Sequence, residues 1–248
     1  MYRKYVPFLL FLFFLYGCNG NKQEEKEDVS VFVDLPQLKA EGEITAVTLY
    51  SSTSYFQYKM QPMGYEYDLI NDFAKSQGLK LNIKVAENPA RLIEMLEAGE
   101  VDVVAYPIPI NNKLKQEVIY CGREDISSQV LIQRANKGDK LLTDVTQLID
   151  KNVYVKPNTK YSERLKNLDE ELGGGIHIQK VENDSIATED LIEMVSLGEI
   201  PYTISDDNTA RLNKTYYWNI NVDLKVSFPQ RSSWVVRKSS PDLAKAID

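Results

Sequence analysis

Histidine and cysteine, which build most metal centres and many nucleophilic sites, are almost absent from this chain. Its 248 residues include one histidine, His177, and two cysteines, Cys18 and Cys121. A Ser-His-Asp triad, a Cys-His pair and a multi-histidine zinc site are therefore nearly excluded. A phosphate-binding loop is also missing, because no Gly-Lys-Ser/Thr follows the triple glycine at residues 173–175. We expect no metal, no cofactor and no catalytic residue in this chain.

The chain also lacks an excess of positive charge. It carries 29 lysines and arginines against 36 aspartates and glutamates, a formal net charge of −7. Nucleic acids are therefore not expected as partners, because their binding normally needs a basic patch. With 43% hydrophobic and 26% charged residues, the composition is that of an ordinary globular protein. The length suffices for one large or two modest α/β domains.

No apolar run is long enough to cross a membrane. The N-terminal run Val6–Tyr16 has about eleven residues, whereas a spanning helix needs about 20. It follows two basic residues, is typical of a signal-peptide core, and leads into Leu-Tyr-Gly-Cys, which resembles a bacterial lipobox. An uncleaved anchor and an ordinary signal peptide are the alternatives. We predict a signal peptide over residues 1–17, lipidation of Cys18 and a lipid-anchored polar tether over residues 18–43. Cys121 then has no intrachain disulfide partner and is expected to be buried.

The segment Gly64–Ile110 is typical of an α/β unit. Apolar residues recur at helical spacing in two stretches, and each stretch ends at a glycine. Between them Leu79–Val85 alternates like a strand, and Val101–Ala105 is a short apolar run suited to a buried parallel strand. Ligands of such sheets bind outside the carboxyl ends of the strands. The predicted loop Tyr106–Ile110 is therefore a candidate binding surface.

The order of predicted elements indicates an α/β protein with two lobes, each a mainly parallel sheet flanked by helices. Strand-like segments near residues 129 and 203 are the expected links of a two-strand hinge. We assign residues 44–130 and 206–248 to the first lobe, whose C-terminal helix is incomplete. Residues 131–205 form the inserted second lobe.

Three short motifs stand in a characteristic order along the chain. They are Gly-Tyr-Glu-Tyr-Asp-Leu at residues 64–69, Leu-Glu-Ala-Gly-Glu-Val-Asp at residues 96–102 and Tyr-Thr-Ile-Ser-Asp at residues 202–206. Together they resemble the bacterial family 3 extracellular solute-binding proteins, which have the periplasmic binding protein type 2 fold. The resemblance covers nearly all of residues 44–248. It implies that a small ligand lies between two lobes that close around it by a hinge motion.

The resemblance also implies a clamp for the charged groups of an amino acid. Asp206 matches the family aspartate that accepts the ligand's ammonium, although it could instead cap the helix that follows it. Leu114 stands where amino-acid binders place an arginine that holds the ligand's carboxylate. A leucine cannot supply the planar, bidentate donor. Ordinary free amino acids are therefore disfavoured as ligands.

Further ligand contacts are expected at a helix start and in the first loop. Thr159 precedes a helix whose free N–H groups favour an anion, with Lys156 assisting; its alternative role is a plain helix cap. Tyr55, Phe56 and Tyr58 either pack against a ligand side chain or belong to the core. The complete set of candidate ligand-binding residues is Tyr55, Phe56, Tyr58, Tyr106, Pro107, Lys156, Thr159 and Asp206.

The aromatic triplet at residues 216–218, Tyr-Tyr-Trp, has two interpretations. It could form a flat platform for carbohydrate, or it could be a buried cluster under the sheet. We favour the buried cluster, because large aromatic side chains are more often packed than displayed.

Within the family, the chain is most similar to the N-terminal domain of the membrane-bound lytic murein transglycosylase F group, on residues 127–132 and 202–206. This similarity implies a lipid-anchored domain in the envelope of a Gram-negative bacterium, with the outer membrane favoured, that senses a peptidoglycan-derived peptide or an amino-acid-like ligand. The alternative is a stand-alone lipoprotein that delivers small polar solutes to an ABC permease. A third hypothesis, an enzyme built on the binding fold such as a periplasmic dehydratase, lacks an acid/base set. The Glu-Ser dipeptide that announces the catalytic glutamate of a transglycosylase does not occur, so transglycosylase activity would belong to a longer parent protein.

Overall fold

Two five-stranded sheets organise the computed structural model, which describes residues 33–183 and 186–248. The predicted signal peptide, Cys18 and the first part of the predicted tether lie outside the described residues. Within the described part, no helix combines the length and the apolar character needed to cross a bilayer. Each sheet is the centre of one lobe.

The first lobe is built on a sheet with α-helices on both faces. Its strands are β1 (Glu43–Leu49), β2 (Phe56–Tyr58), β3 (Gln61–Met63), β4 (Lys80–Ala86), β5 (Val103–Pro109), β6 (Val118–Ser127) and β12 (Gln230–Arg237). Its helices are α1 (Leu35–Glu41), α2 (Tyr65–Ser76), α3 (Pro89–Glu97) and α7 (Pro241–Ile247), with a 3₁₀ turn at Leu114–Gln116. The sheet order is β4-β1-β5-β12-β6, in which β1 runs parallel to β4 and β5 while β12 is antiparallel to its neighbours. β2 and β3 form a separate hairpin.

The second lobe repeats this plan on a smaller scale. Its strands are β7 (Gln129–Arg134), β8 (Asn152–Val155), β9 (His177–Lys180), β10 (Tyr202–Asp206) and β11 (Ile220–Asn221). Its helices are α4 (Lys160–Glu171), α5 (Thr188–Leu197) and α6 (Asp207–Lys214), with a 3₁₀ turn at Val145–Leu148. The sheet order is β11-β7-β10-β8-β9, with β8 parallel to both β9 and β10. The two-lobed α/β prediction is confirmed.

Side-chain alternation along the central strands divides each lobe's core into two layers. On β1, Ala46 packs with α1, α2 and α7, whereas the next residue, Val47, packs with α3. In the second lobe, Leu131 packs against α4 while Ile132 packs against α5 and α6. Such period-two alternation is expected of strands covered on both faces. Cys121 is buried as predicted, and burial together with the nearby Asp248 raises the pKa of its thiol to about 12.

The chain crosses between the lobes at two places that lie side by side. The first crossing is the junction of β6 and β7, as predicted near residue 129. The second lies at residues 227–230 rather than near residue 203, because α6 and β11 both pack in the second lobe. There Gln129 donates its backbone N–H to Ser227 Oγ over 2.8 Å, and Val226 N–H donates to the Gln129 carbonyl over 2.9 Å. Residues 206–226 therefore belong with the second lobe, contrary to the predicted boundary.

The folded part of the first lobe also begins earlier than predicted. Asp34 caps α1 and accepts the backbone N–H groups of Asp242 and Leu243 at the start of α7, over 3.0 and 2.8 Å. Leu38 is 2% exposed and packs in the core. One buried carboxylate thus holds two helix N-termini, which favour negative charge. The segment from Asp34 to residue 43 is part of the lobe and not of a polar tether.

Tyr106–Pro109 extend strand β5, although a loop was predicted there. β1 pairs with β5 only at Val103 and Val104, so the two prolines lie beyond the end of that ladder. On the other side, β12 continues to pair, and Ile110 N–H donates to the Arg231 carbonyl over 2.8 Å. A proline is tolerated in a strand where its missing N–H has no partner to lose.

Gly64 is the residue of the first motif whose backbone no other amino acid can adopt. Its φ of 134° and ψ of 150° fall in a region reserved for glycine, and an added Cβ would lie 2.4 Å from the Ser54 carbonyl oxygen. We expect Gly64→Ala to lower the free energy of unfolding by about 3 kcal/mol or more. The matched control is Gly42→Ala, where φ is 81° and no atom lies within 4 Å of the added Cβ, with an expected cost of about 1 kcal/mol. Urea unfolding of both variants measures the difference, and equal losses would contradict the assignment.

Glu66 is a buried carboxyl that makes stability depend on pH. Burial and the neighbouring Asp125 raise its pKa from 4.5 to about 7, although the hydrogen bond from Trp234 Nε1 over 2.6 Å opposes the rise. The unfolded chain ionises this group near 4.5 while the folded protein holds the proton until about 7, so stability is lost as pH rises through this window.

We expect Glu66→Gln to remove this loss, because glutamine cannot ionise and can still accept from Trp234. Urea midpoints of wild type and variant between about pH 5 and about pH 8 measure it. The exposed Glu97→Gln serves as control. Parallel pH profiles for wild type and Glu66→Gln would disprove the role of this carboxyl.

Candidate functional site

The candidate site lies at the carboxyl ends of strands in both lobes. In the second lobe, β10 pairs parallel with β8 through Thr203 and Tyr154. Asp206, the last residue of β10, therefore lies at the same sheet edge as the residues that follow β8. Those residues lead directly into the N-terminus of α4, which begins at Lys160.

Asp206 is held by a half-buried ion pair with this chain's own lysine. Its backbone occupies the N-cap position of α6, yet its side chain makes no capping hydrogen bond. Instead, Asp206 Oδ2 lies 2.5 Å from Lys160 Nζ and accepts a hydrogen bond from the Tyr161 hydroxyl over 3.2 Å. The side chains of Lys160 and Asp206 are only 20% and 19% exposed. The helix-cap interpretation of the Asp206 carboxylate is thereby wrong.

Two tyrosines, one from each lobe, lie within range of the charge of Asp206. Tyr161 is buried, and burial followed by the negative charge of Asp206 raises its pKa well above the ordinary value. Tyr106, from β5 of the first lobe, is half-buried, and the same two causes raise its pKa, with Glu189 and Glu66 adding to the effect. Both hydroxyl groups are protonated at neutral pH, and that of Tyr161 donates to Asp206.

A polar contact between Ser52 and Glu189 joins the two lobes directly. Ser52, in the loop after β1, donates its hydroxyl to Glu189 Oε1 over 2.9 Å and its backbone N–H to the same oxygen over 3.2 Å. Glu189 lies in the first turn of α5, where negative charge is favoured. The contact brings the first-lobe loop against the start of a second-lobe helix.

The predicted residues Thr159 and Lys156 are engaged locally. Thr159 caps α4, accepting from Ser162 N–H over 3.3 Å and donating to the Lys156 carbonyl over 2.9 Å. Lys156 Nζ donates to the carbonyl of Asn183. Thr159 thus performs the capping role that was its alternative, and it sits next to Lys160 at the site.

The three aromatic candidates of the first loop occupy three different environments. Tyr55 is 7% exposed and meets Tyr67 edge to face at 5.7 Å, so it belongs to the core. Phe56 is half-buried on β2. Tyr58 is 57% exposed on the hairpin, with Lys59 Nζ 5.1 Å from its ring centre. Pro107 is half-buried on β5, next to Tyr106.

Leu114 brings no charged group to the site. Leu114 lies in the 3₁₀ turn and packs against the apolar layer of α3, so no guanidinium is present at this position.

Tyr216 and Trp218 are 73% and 82% exposed, so the favoured interpretation of a buried triplet is wrong for both. Only Tyr217 packs against the second-lobe core, because the three residues follow the end of α6 rather than lying under the sheet.

Four residues of the site were missed from sequence. Lys160, Tyr161, Ser52 and Glu189 all follow closely on strands or begin helices at the sheet edges. The strand order could have indicated these residues, because residues that follow parallel strands share one edge of the sheet. That inference requires the pairing of β8 with β10 to be known first. Among the described residues, no group of three or more His, Cys, Asp or Glu side chains could hold a metal ion.

Comparison with known proteins identifies relatives over most of the chain. Residues 44–248 match the family described as bacterial extracellular solute-binding proteins, family 3. The membrane-bound lytic murein transglycosylase F of Desulfosudis oleivorans is 31% identical over 216 residues, which cover 86% of this chain and 45% of that protein. The protein of the same name from Stutzerimonas stutzeri is 28% identical over 218 residues, covering 87% of this chain and 44% of that protein. The chain thus spans just under half the length of these curated relatives.

Solved structures match the fold. The holo ArgBP of T. maritima has a TM-score of 0.69 at 20% identity, covering 86% of this chain and 90% of that one. An ancestral arginine-binding protein bound to arginine has a TM-score of 0.69 at 19% identity, covering 83% and 89%. The architecture of the two lobes is therefore that of type 2 periplasmic binding proteins.

The Ser52–Glu189 contact predicts how readily the lobes separate. Glu189→Ala removes both hydrogen bonds, which we expect to cost the lobe-to-lobe contact about 1 kcal/mol and to shift the balance toward separated lobes about fivefold. Small-angle X-ray scattering should then report a larger radius of gyration. Glu199→Ala, an exposed substitution just after the same helix, is the control and should leave the radius unchanged. An unchanged radius in both variants would count against the contact.

Proposed function

Because the chain belongs to the bacterial extracellular solute-binding proteins of family 3, we propose that it is the ligand-sensing domain of a cell-envelope lipoprotein similar to the lytic murein transglycosylases F. In this proposal, a peptidoglycan-derived peptide binds between the lobes and biases their closure. Lipidation of Cys18 would anchor the protein, with the outer membrane favoured. Cleavage of glycan strands would belong to a longer parent protein.

The observation that carries the proposal is the polarity of the site. Tyr161 of the second lobe contacts the half-buried pair of Lys160 and Asp206, and Tyr106 of the first lobe lies near enough to feel the charge of Asp206. Such a constellation suits a polar ligand with several hydrogen-bonding groups. The arginine that would hold a free carboxylate bidentately is replaced by Leu114, which packs in the core. A peptide carbonyl can accept a hydrogen bond from a neutral donor such as the Tyr106 hydroxyl without bringing a charge into the site.

The similarity to the transglycosylases supports the envelope assignment. Relatives of that name match 86–87% of this chain, and their N-terminal domain is similar to family 3 solute-binding proteins. A domain of this kind next to an enzyme is suited to reporting the products of cell-wall turnover. The sensing role follows from that position and from a hinge that lets ligand binding alter the shape of the domain.

A second candidate function is delivery of a small solute to an ABC permease. It is favoured by the arginine-bound structures that share the fold. Against it stand Leu114 in place of the carboxylate clamp and the lysine already bound at Asp206. We therefore rank transport second.

We expect a soluble muramyl peptide to raise the melting temperature of the protein, and free glutamine or arginine to raise it less or not at all. A ligand present at about 100 times its dissociation constant adds about 2.7 kcal/mol to stability, which thermal unfolding detects easily. Isothermal titration calorimetry with the same three compounds gives the affinities. Tight binding of either amino acid without binding of the muramyl peptide would favour transport and overturn the sensing role.

A further inference from the structure

We infer that Lys160 is a built-in counter-ion that keeps the free α-ammonium group of an amino acid away from Asp206. The inference rests on the proposed function, because it takes the region between the lobes as the ligand site. Lys160 Nζ lies 2.5 Å from Asp206 Oδ2, so the position that a ligand's ammonium would take beside this carboxylate is filled by the chain itself. Lys160 thereby determines which class of ligand the site accepts.

The lysine is positioned to hold this place against a free ligand. It is the first residue of α4, directly after the N-cap Thr159, so its backbone is fixed by the capping hydrogen bonds. Its ammonium also lies 5.5 Å from the ring centre of Tyr161, which adds a cation–π contact. An intramolecular partner of this kind acts at an effective concentration on the order of millimolar or higher. A ligand amine present at micromolar concentration cannot displace it without additional contacts.

The partial burial of Lys160 and Asp206 strengthens the discrimination against a ligand's ammonium group. Both side chains are about one-fifth exposed. Displacing Lys160 would break its charge-assisted hydrogen bond to Asp206, which the ligand amine would have to replace. Glu189, the carboxylate at the start of α5, is engaged by Ser52 of the first lobe. The ion pair is therefore electrostatically complete before a ligand arrives.

The class of ligand follows from this arrangement. A group next to Asp206 and Lys160 should be uncharged and able to accept hydrogen bonds, such as the carbonyl of an acylated amine. Peptides attached to muramic acid have their first amino group in an amide, so they meet this requirement. A free amino acid carries a charged α-ammonium and does not.

The test compares L-arginine with Nα-acetyl-L-arginine, which differ at the α-amino group. Calorimetry is run on wild type, Lys160→Met, the double variant Lys160→Met with Asp206→Asn, and the control Lys166→Met. Lys166 is exposed on the same helix, and methionine keeps the aliphatic stem of either lysine. Thermal unfolding confirms that each variant is folded.

We expect Lys160→Met to bind L-arginine at least tenfold more tightly than wild type does, since Asp206 then lacks a counter-ion. The gain should be absent for Nα-acetyl-L-arginine, absent in Lys166→Met and lost again in the double variant. If Lys160→Met binds L-arginine no more tightly than wild type, whether both bind or neither does, the inference is wrong. This result is independent of muramyl peptide binding by wild type, so failure of the proposed function and failure of this inference are told apart.

Discussion

The hydrogen bonds that hold the two chain crossings side by side are the constraint on which the rest of the molecule depends. Gln129 is 2% exposed and bonds to Ser227 through its backbone N–H, while Ser127 and Gln230 pair in the first sheet. The two crossings therefore act as one short ribbon between the lobes. Two sheets joined by such a ribbon can rotate about it, but the same edges of the two sheets continue to face each other. The residues that meet across the lobes are those beyond the carboxyl ends of strands, as Ser52 after β1 meets Glu189, which follows β9 in the chain.

This constraint explains why the polar groups gather where they do. Asp206 ends β10, Lys160 follows β8, and Tyr106 lies on the part of β5 that extends beyond its pairing with β1. Parallel strands place the residues after them on one side. Asp206 is then close enough to Tyr106 for its negative charge to add to the effect of burial, which raises the pKa of the tyrosine hydroxyl.

Much of the architecture could be predicted from local patterns, and the errors share one cause. The helix over residues 65–76 and the strand over residues 80–86 follow from apolar spacing, which is a property of neighbouring residues. The second crossing could not be found this way, because the two-residue strand β11 carries almost no pattern of its own and is defined by its pairing with β7. A loop was wrongly predicted at the prolines of β5 for the same reason. Their effect depends on where the neighbouring strand stops, and β1 pairs no further than Val104.

The site was predictable only in part, for a comparable reason. Asp206 could be identified by resemblance to the family, but its partner Lys160 belongs to a segment that lies 46 residues earlier in the chain. Only the pairing of β8 with β10 brings them together. Likewise, Tyr55 and Tyr58 are three residues apart, yet one is in the core and the other on an exposed hairpin.

The charges of the site limit how it can recognise a ligand. A binding site that leaves a carboxylate unpaired gains much of its affinity from a ligand's cation, since the ligand supplies the missing partner. Here the chain supplies both partners, and Leu114 supplies no charge at all. A charged ligand group would gain little from such a site and would lose its hydration on entering it. Discrimination must then come from shape and from neutral hydrogen bonds. The Tyr161 hydroxyl already donates to Asp206, so the Tyr106 hydroxyl of the first lobe is the tyrosine donor suited to provide one.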